Sequence, residues 1–218
     1  MDTLNKTVHV LNKNSESVKY LIKKDKRFEK VVDLIGEITY VTYSDPYIFL
    51  LDTIIGQMLS NKVADILTER VHQLCNDSVT PDAIALISDE KLREVGISYS
   101  KIGFIRNLTN AIKSKELSFE NLNNLSDEEV IKIITKVKGI GPWSAKMFLI
   151  FVMNRLDVLP YEDVAFLQGY KWMFNARKMT PSAVKSKCSK WHPYCSVAAR
   201  FLYKILDRGF TKKPYTDY

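Results

Sequence analysis

The run Trp143-Ser144-Ala145-Lys146-Met147-Phe148-Leu149-Ile150-Phe151-Val152-Met153 is apolar over most of a helix's circumference. A helix without a wet face has to sit in the middle of a protein, with other elements packed round it. Directly before it stands Val137-Lys138-Gly139-Ile140-Gly141-Pro142. Two glycines flanking one apolar residue permit a turn whose N–H groups point outward, and the helix start that follows carries partial positive charge. Such a turn suits a phosphate, and the buried helix behind it anchors it rigidly.

The rest of the chain reads as helix after helix. Tyr47 to Gln57 is a mostly apolar helical run, Val63 to Leu74 has apolar residues at helical spacing, and Met58-Leu59-Ser60-Asn61 forms a short break between them. Thr80-Pro81 and Thr180-Pro181 read as N-caps followed by proline at the first helical position, and Ser126-Asp127-Glu128-Glu129 as a capping box. The alternating stretch Glu37 to Tyr43 is short and lacks an obvious partner, so it is taken as extended chain or loop. No Gly/Ser-rich linker, fixed-period repeat or low-complexity tract interrupts the sequence, so a two-lobed structure has to share helices between its lobes.

Composition narrows the function. At 218 residues the chain is long enough for a real apolar core. Cys75, Cys188 and Cys195 have no paired spacing, and His9, His72 and His192 are scattered. This spacing argues against a zinc site and against an iron–sulfur cluster. No stretch approaches a membrane span, Met1-Asp2-Thr3-Leu4-Asn5-Lys6 does not read as a signal peptide, and a reducing intracellular compartment is expected. The net charge is +7, but its placement matters more: from Val164 to Leu206 there is no Asp or Glu, while Lys171, Arg177, Lys178, Lys185, Lys187, Lys190, Arg200 and Lys204 fall there. That is a footprint for a polyanion, although a solvated basic face without a partner has the same composition.

Five blocks in order carry a resemblance: Leu51 to Ala64, Leu92 to Lys101, Leu125 to Val130, Lys138 to Ala145, and Leu159-Pro160-Tyr161-Glu162-Asp163. From about Tyr20 to Gly209 the sequence resembles the helix-hairpin-helix DNA glycosylase superfamily, with its nearest look to the 3-methyladenine DNA glycosylase II branch. The resemblance implies an all-α fold of two helical lobes with the active-site cleft between them. Residues 1–50 and 156–218 are expected to form one lobe and 51–155 the other, ending in a helix-hairpin-helix motif at about 131–154. The implied partner is double-stranded DNA containing damaged bases, bound by a monomer in the cytoplasm or nucleoid, or in the nucleus of a eukaryote.

The resemblance also assigns residues. Asp163 takes the family's catalytic position; the residues alone equally allow it to be the N-cap of the next helix. Glu162 reads as a solvated neighbour. Trp143, Tyr203 and Met147 match base-pocket positions, Met147 standing where relatives carry tyrosine, and Trp143 is also readable as core. Gln57, Met58 and Leu59 match the wedge that fills the duplex, with Met58 alternatively packed between helices and Ser60 as an N-cap. Lys138, Gly139, Gly141, Trp143 and Ser144 form the implied phosphate clamp. The main-chain carbonyls of Thr135, Val137 and Ile140 match a structural sodium or potassium site.

Breaking a purine N-glycosidic bond develops positive charge on the sugar, which one fixed carboxylate can stabilise while it orients water. A base that is already cationic needs no acid. Where lyase members have a lysine after the hairpin, this chain has Trp143; Lys146 is out of register and reads as a helix-surface lysine. The expectation is a monofunctional glycosylase for 3-methyladenine and 7-methylguanine type bases that needs no catalytic cofactor and leaves an abasic site. Deaminated or ethenopurine substrates, and a DNA-binding module without catalysis, are the alternatives.

Overall fold

The computed structural model describes residues 7–217, so the reading of Met1–Lys6 lies outside the described part. In chain order the elements are β1 (Val8–Leu11), α1 (Glu16–Lys24), α2 (Lys26–Ile35), β2 (Ile38–Val41), α3 (Pro46–Gly56), α4 (Asn61–Leu74), α5 (Pro81–Leu86), α6 (Asp89–Glu94), α7 (Tyr99–Lys113), α8 (Asp127–Ile134), α9 (Pro142–Phe151), α10 (Val164–Phe174), α11 (Pro181–Cys188) and α12 (Cys195–Asp207). The protein is all-α apart from one ribbon. No helix is long and apolar enough to cross a membrane among the described residues.

Local chemistry explains where helices begin. Asp45 accepts from Ile48 N–H with Pro46 at the first position, and Thr80 and Thr180 accept from Ala83 and Ala183 in the same way. Each cap satisfies a donor that the helix itself cannot. Ser126 and Glu129 close the full capping box at the start of α8.

The chain divides into two compact units. One joins the chain up to Thr42 with the chain from Asn154 onward; the other is Tyr43–Met153. The boundary expected at 50/51 falls inside α3, and a continuous helix does not change units midway. The Tyr43 N–H instead donates to Phe151 O at 3.0 Å, within the middle unit. The second boundary lies at 153/154 in place of 155/156.

In the first unit, Phe28, Phe166, Trp191 and Phe201 meet edge-to-face at the centre of the core. Gly169 lets α10 close onto α12: a Cβ there would lie 2.8 Å from Leu202 Cβ and 3.0 Å from its carbonyl oxygen. Residues 38–41, taken from sequence as extended chain or loop for want of a partner, are strand β2, paired antiparallel with β1 in the register Val8 to Val41 and Leu11 to Ile38. The partner lies two helices upstream, beyond the reach of a local pattern.

In the middle unit, α3 packs against α4, α7 and α9. Residues Ser144 to Ile150 of α9 are all buried, and α3 adds Leu50, Leu51, Ile54 and Ile55 to the same core. Lys146 is therefore a buried residue, 8% exposed, and not the helix-surface lysine expected. The cause is α9 itself, whose whole central turn faces protein.

Polar groups in this unit are paired. Tyr47 Oη and Thr109 Oγ1 are 2.9 Å apart, and burial pushes the phenol up to about 12. His72 Nε2 lies 2.8 Å from Asp52 Oδ1, and that hydrogen bond raises the imidazole above its ordinary 6.5, with partial burial opposing and the carboxylate charge adding. A raised folded-state value means that the pair's contribution is fully present below the ordinary value and is lost as pH rises through the raised one. Asp52→Asn is expected to cost on the order of 1 kcal/mol or less near pH 5.5 and distinctly less near pH 9. Denaturant unfolding at the two pH values measures this, and an equal cost at both would remove the imidazolium from the account.

Candidate functional site

The hairpin joins α8 to α9 through residues 135–141. Thr135 ends α8 with its hydroxyl donating to Ile131 O at 2.7 Å, and Ile140 N–H closes back on Val137 O at 3.0 Å. Gly139 has φ +107°, a conformation that favours glycine, and a Cβ there would lie 2.3 Å from Phe104 Cγ. The ring of α7 thus presses on the turn. Gly141 differs: its φ of −95° suits any residue and a Cβ would meet open space. It is the N-cap of α9 and provides no side-chain cap, which suits the helix start to an external anion.

Two side chains hold the turn from neighbouring elements. Asn107 Nδ2 donates to Lys138 O at 3.1 Å, and Gln57 Nε2 donates to Gly139 O at 2.9 Å. Lys138, Gly141 and Pro142 are exposed, Gly139 and Trp143 half-buried, and Ile140 and Ser144 buried. Ser144 is 2% exposed, so the solvent-open face of the turn runs over Lys138–Gly139 and Gly141–Trp143.

The break after α3 lies beside the hairpin through that Gln57 bond. The Gln57 side chain is turned to the turn backbone and supports it. Met58 is 102% exposed with φ +59°, so it does not pack between helices. An exposed methionine in a left-handed backbone conformation is an unfavourable arrangement held by its surroundings. Leu59 beside it is exposed too. Lys101 Nζ fixes the end of α3 by donating to Ile55 O at 2.6 Å. Ser60 stands at the N-cap position of α4 without making a side-chain cap.

In the other unit, Asp163 is 8% exposed and is the N-cap of α10, its Oδ1 accepting from Phe166 N–H at 2.7 Å. The segment leading to it is tied down link by link. Asn154 accepts from Tyr40 Oη at 3.1 Å; Ser196 N–H donates to Leu156 O at 2.9 Å. Ser196 Oγ accepts from Val158 N–H at 2.9 Å and donates to Val158 O at 3.2 Å. Asp163 N–H then closes on Pro160 O at 3.0 Å. Sequence reasoning misses Ser196, which is 38 positions from Val158 and has no local signal.

Tyr203, one turn beyond Arg200 on α12, has its hydroxyl out of solvent. Burial first, then the charge of the nearby Asp163 carboxylate, holds this phenol well above its ordinary value, with Arg200 opposing. Arg200 itself is buried, its guanidinium 3.7 Å from the Tyr40 ring centre. It therefore leaves the basic surface counted from sequence. Lys190 is spent on an ion pair with Asp25 at 3.0 Å, and Lys185 lies over Tyr161.

Comparison with known proteins identifies the family. Residues 51–193 match the model of the HhH-GPD superfamily base excision DNA repair proteins, which spans both the hairpin and Asp163. The chain belongs to this superfamily. It is 30% identical over 197 residues to DNA-3-methyladenine glycosylase 1 of Schizosaccharomyces pombe, covering 87% of this chain and 86% of that one. Its fold is similar to a Bacillus halodurans DNA-3-methyladenine glycosidase, with TM-score 0.82 at 32% identity over 95% of this chain and 96% of the other. It is also similar to an S. pombe 3-methyladenine DNA glycosylase in complex with abasic DNA, with TM-score 0.81 at 28% identity over 88% and 97% of the two chains.

Within this HhH-GPD chain the remaining expected positions are placed as follows. Glu162 is exposed next to the buried Asp163. Met147 is buried in α9. The contrast between the two hairpin glycines is testable. Gly139→Ala is expected to destabilise the protein by roughly 1–3 kcal/mol through backbone strain and the Phe104 contact. Gly141→Ala is expected to cost under about 0.5 kcal/mol, the range of a surface change. Thermal unfolding of both variants decides it.

Proposed function

We propose that this protein is a monofunctional DNA glycosylase of base excision repair, hydrolysing the N-glycosidic bond of alkylated purines in duplex DNA and leaving an abasic site. The observation that carries the reading is a buried carboxylate, Asp163, locked at a helix start in a chain of the HhH-GPD superfamily. Supporting it are relatives named for 3-methyladenine glycosylase activity, one of them bound to abasic DNA.

The chemistry follows from charge. The C1′–N bond breaks with its electron pair going to the cationic base, which leaves neutral and needs no proton. The sugar becomes oxocarbenium-like, and the Asp163 carboxylate stabilises it. Water adds at C1′ and gives up its proton to Asp163. Capping occupies Oδ1 and fixes the carboxylate's rotamer, so the structural and chemical roles are compatible.

The hairpin positions DNA. Lys138 and the exposed backbone of Gly139 and Gly141 contact one phosphate, which gives register without reading sequence. The exposed Met58 fills the space left by the flipped nucleotide, offsetting part of an unstacking cost of a few kcal/mol. Trp143 and Tyr203 present aromatic faces to a flipped cationic base, each worth about 0.5–2 kcal/mol. The carbonyls of Thr135, Val137 and Ile140 lie in the turn after α8, and main-chain oxygens of this kind suit a sodium or potassium ion. That ion would stiffen the turn and take no part in bond breaking. The protein works as a monomer without a catalytic cofactor.

Asp163→Asn keeps an acceptor for Phe166 N–H, so it is expected to fold and to bind abasic-site DNA normally. Release of free 3-methyladenine or 7-methylguanine from methylated DNA should fall by about 100-fold or more. Chromatography of released bases measures this, and undiminished release would remove Asp163 from the mechanism.

Trp143 stands where an amine nucleophile would be needed for strand cleavage through a Schiff base. Borohydride added during turnover is expected to trap no covalent protein–DNA adduct on a denaturing gel. Abundant trapping would assign lyase chemistry to another lysine.

A further inference from the structure

Away from the hairpin and Asp163, the fold gathers three potential metal ligands. One donor atom each from Asp157, His192 and Cys195 lies within 4.8 Å of the other two. We propose that these three side chains form a binding site for a zinc-class divalent cation, which staples the segment leading to Asp163 onto the start of α12.

The donor set is the first argument. An imidazole nitrogen, a thiolate sulfur and a carboxylate oxygen are the ligands that zinc takes, and three protein ligands leave a fourth position for water. The spacing is the second. His192 Nδ1 lies 2.8 Å from Asp157 Oδ2 and 3.7 Å from Cys195 Sγ. Ligands of one tetrahedral zinc, at about 2.0–2.3 Å from the ion, lie roughly 3–4 Å from each other. The Asp157 and Cys195 donors lie within 4.8 Å of each other, so the ion would displace the proton shared by His192 and Asp157 and draw the Asp157 oxygen toward Cys195 Sγ.

The third argument is that one nitrogen faces both other donors. In a nucleophilic relay the carboxylate and the nucleophile engage opposite nitrogens of the imidazole. Here both lie at Nδ1, which suits a common ion and not a relay.

The site is pre-built by other bonds. Asp157 Oδ1 accepts from Cys195 N–H at 3.2 Å, which places the carboxylate, and Tyr20 Oη donates to His192 O at 2.6 Å, which places the imidazole's backbone. Cys195 is at the buried floor, while the His192 side chain is 54% exposed and gives the ion an entry path. Spacing along the chain argued against zinc because cysteine and histidine pairs are missing. The third ligand, Asp157, is 35 residues upstream of His192 and comes only with the fold.

The test uses the full chain, stripped with chelator and titrated with zinc chloride by calorimetry and with cobalt chloride by absorbance. The expected result is one ion per chain, tetrahedral cobalt bands with a thiolate charge-transfer band, and a rise in Tm with zinc that magnesium does not give. Asp157→Asn, His192→Ala and Cys195→Ser should each weaken zinc binding at least tenfold, while His72→Gln leaves it unchanged. His192→Ala alters a half-exposed side chain and keeps the test decisive if the buried Cys195→Ser fails to fold. No saturable binding, an octahedral cobalt spectrum without the thiolate band, or unchanged affinity in His192→Ala would overturn the site.

Discussion

Helix α9 has no face to offer water, and the middle unit is organised by that constraint. With Ser144 to Ile150 all buried, α3 has to lie against it, and the apolar residues of α3 complete the enclosure. A helix held so firmly cannot rock, so the turn at its start is held as well. Phe104 then presses on Gly139 and leaves no room for a side chain, and Gln57 and Asn107 tie two successive carbonyls of the turn to α3's end and to α7. A turn proposed to hold a phosphate through backbone groups depends on such supports to keep its donors in place. Its rigidity is that of the core behind it.

Asp163 is fixed by a different device. The cap bond to Phe166 N–H sets the carboxylate, but the chain before it has no regular structure, and irregular chain is normally mobile. Here α12 supplies the order: Ser196 binds both backbone groups of Val158, and the Cys195 N–H binds Asp157. One helix start thus holds a non-helical segment as a strand neighbour would. In the proposed mechanism an electrostatic group is effective only when it does not have to reorganise as charge develops, and these bonds would hold Asp163 in advance.

What could be read in the sequence depended on the range of the interaction responsible. Thr80-Pro81, Thr180-Pro181 and the Ser126–Glu129 box act within one turn, and the structure shows each cap bond. The apolar stretch of α9 was legible for the same reason. The pairing of β1 with β2 was not, since two helices separate them, nor was the Ser196 clamp. Lys146 and Arg200 show a subtler limit. A charged residue is normally on the surface, and only the packing of α9, or the Tyr40 ring over which the Arg200 guanidinium lies, reveals that it is buried.

Met147 bears on how the proposed enzyme would choose its base. A tyrosine in that place offers a hydroxyl that can pair with one purine edge and be left unpaired by another, and unpaired buried groups are what give sharp discrimination. A thioether offers adaptable contact without that penalty. Selectivity then has to come from the bond being broken. An alkylated purine already bears the positive charge that makes it a good leaving group, whereas a normal purine has to gain a proton first. Under the proposed function, discrimination against undamaged bases would rest on the leaving-group charge of the alkylated purine.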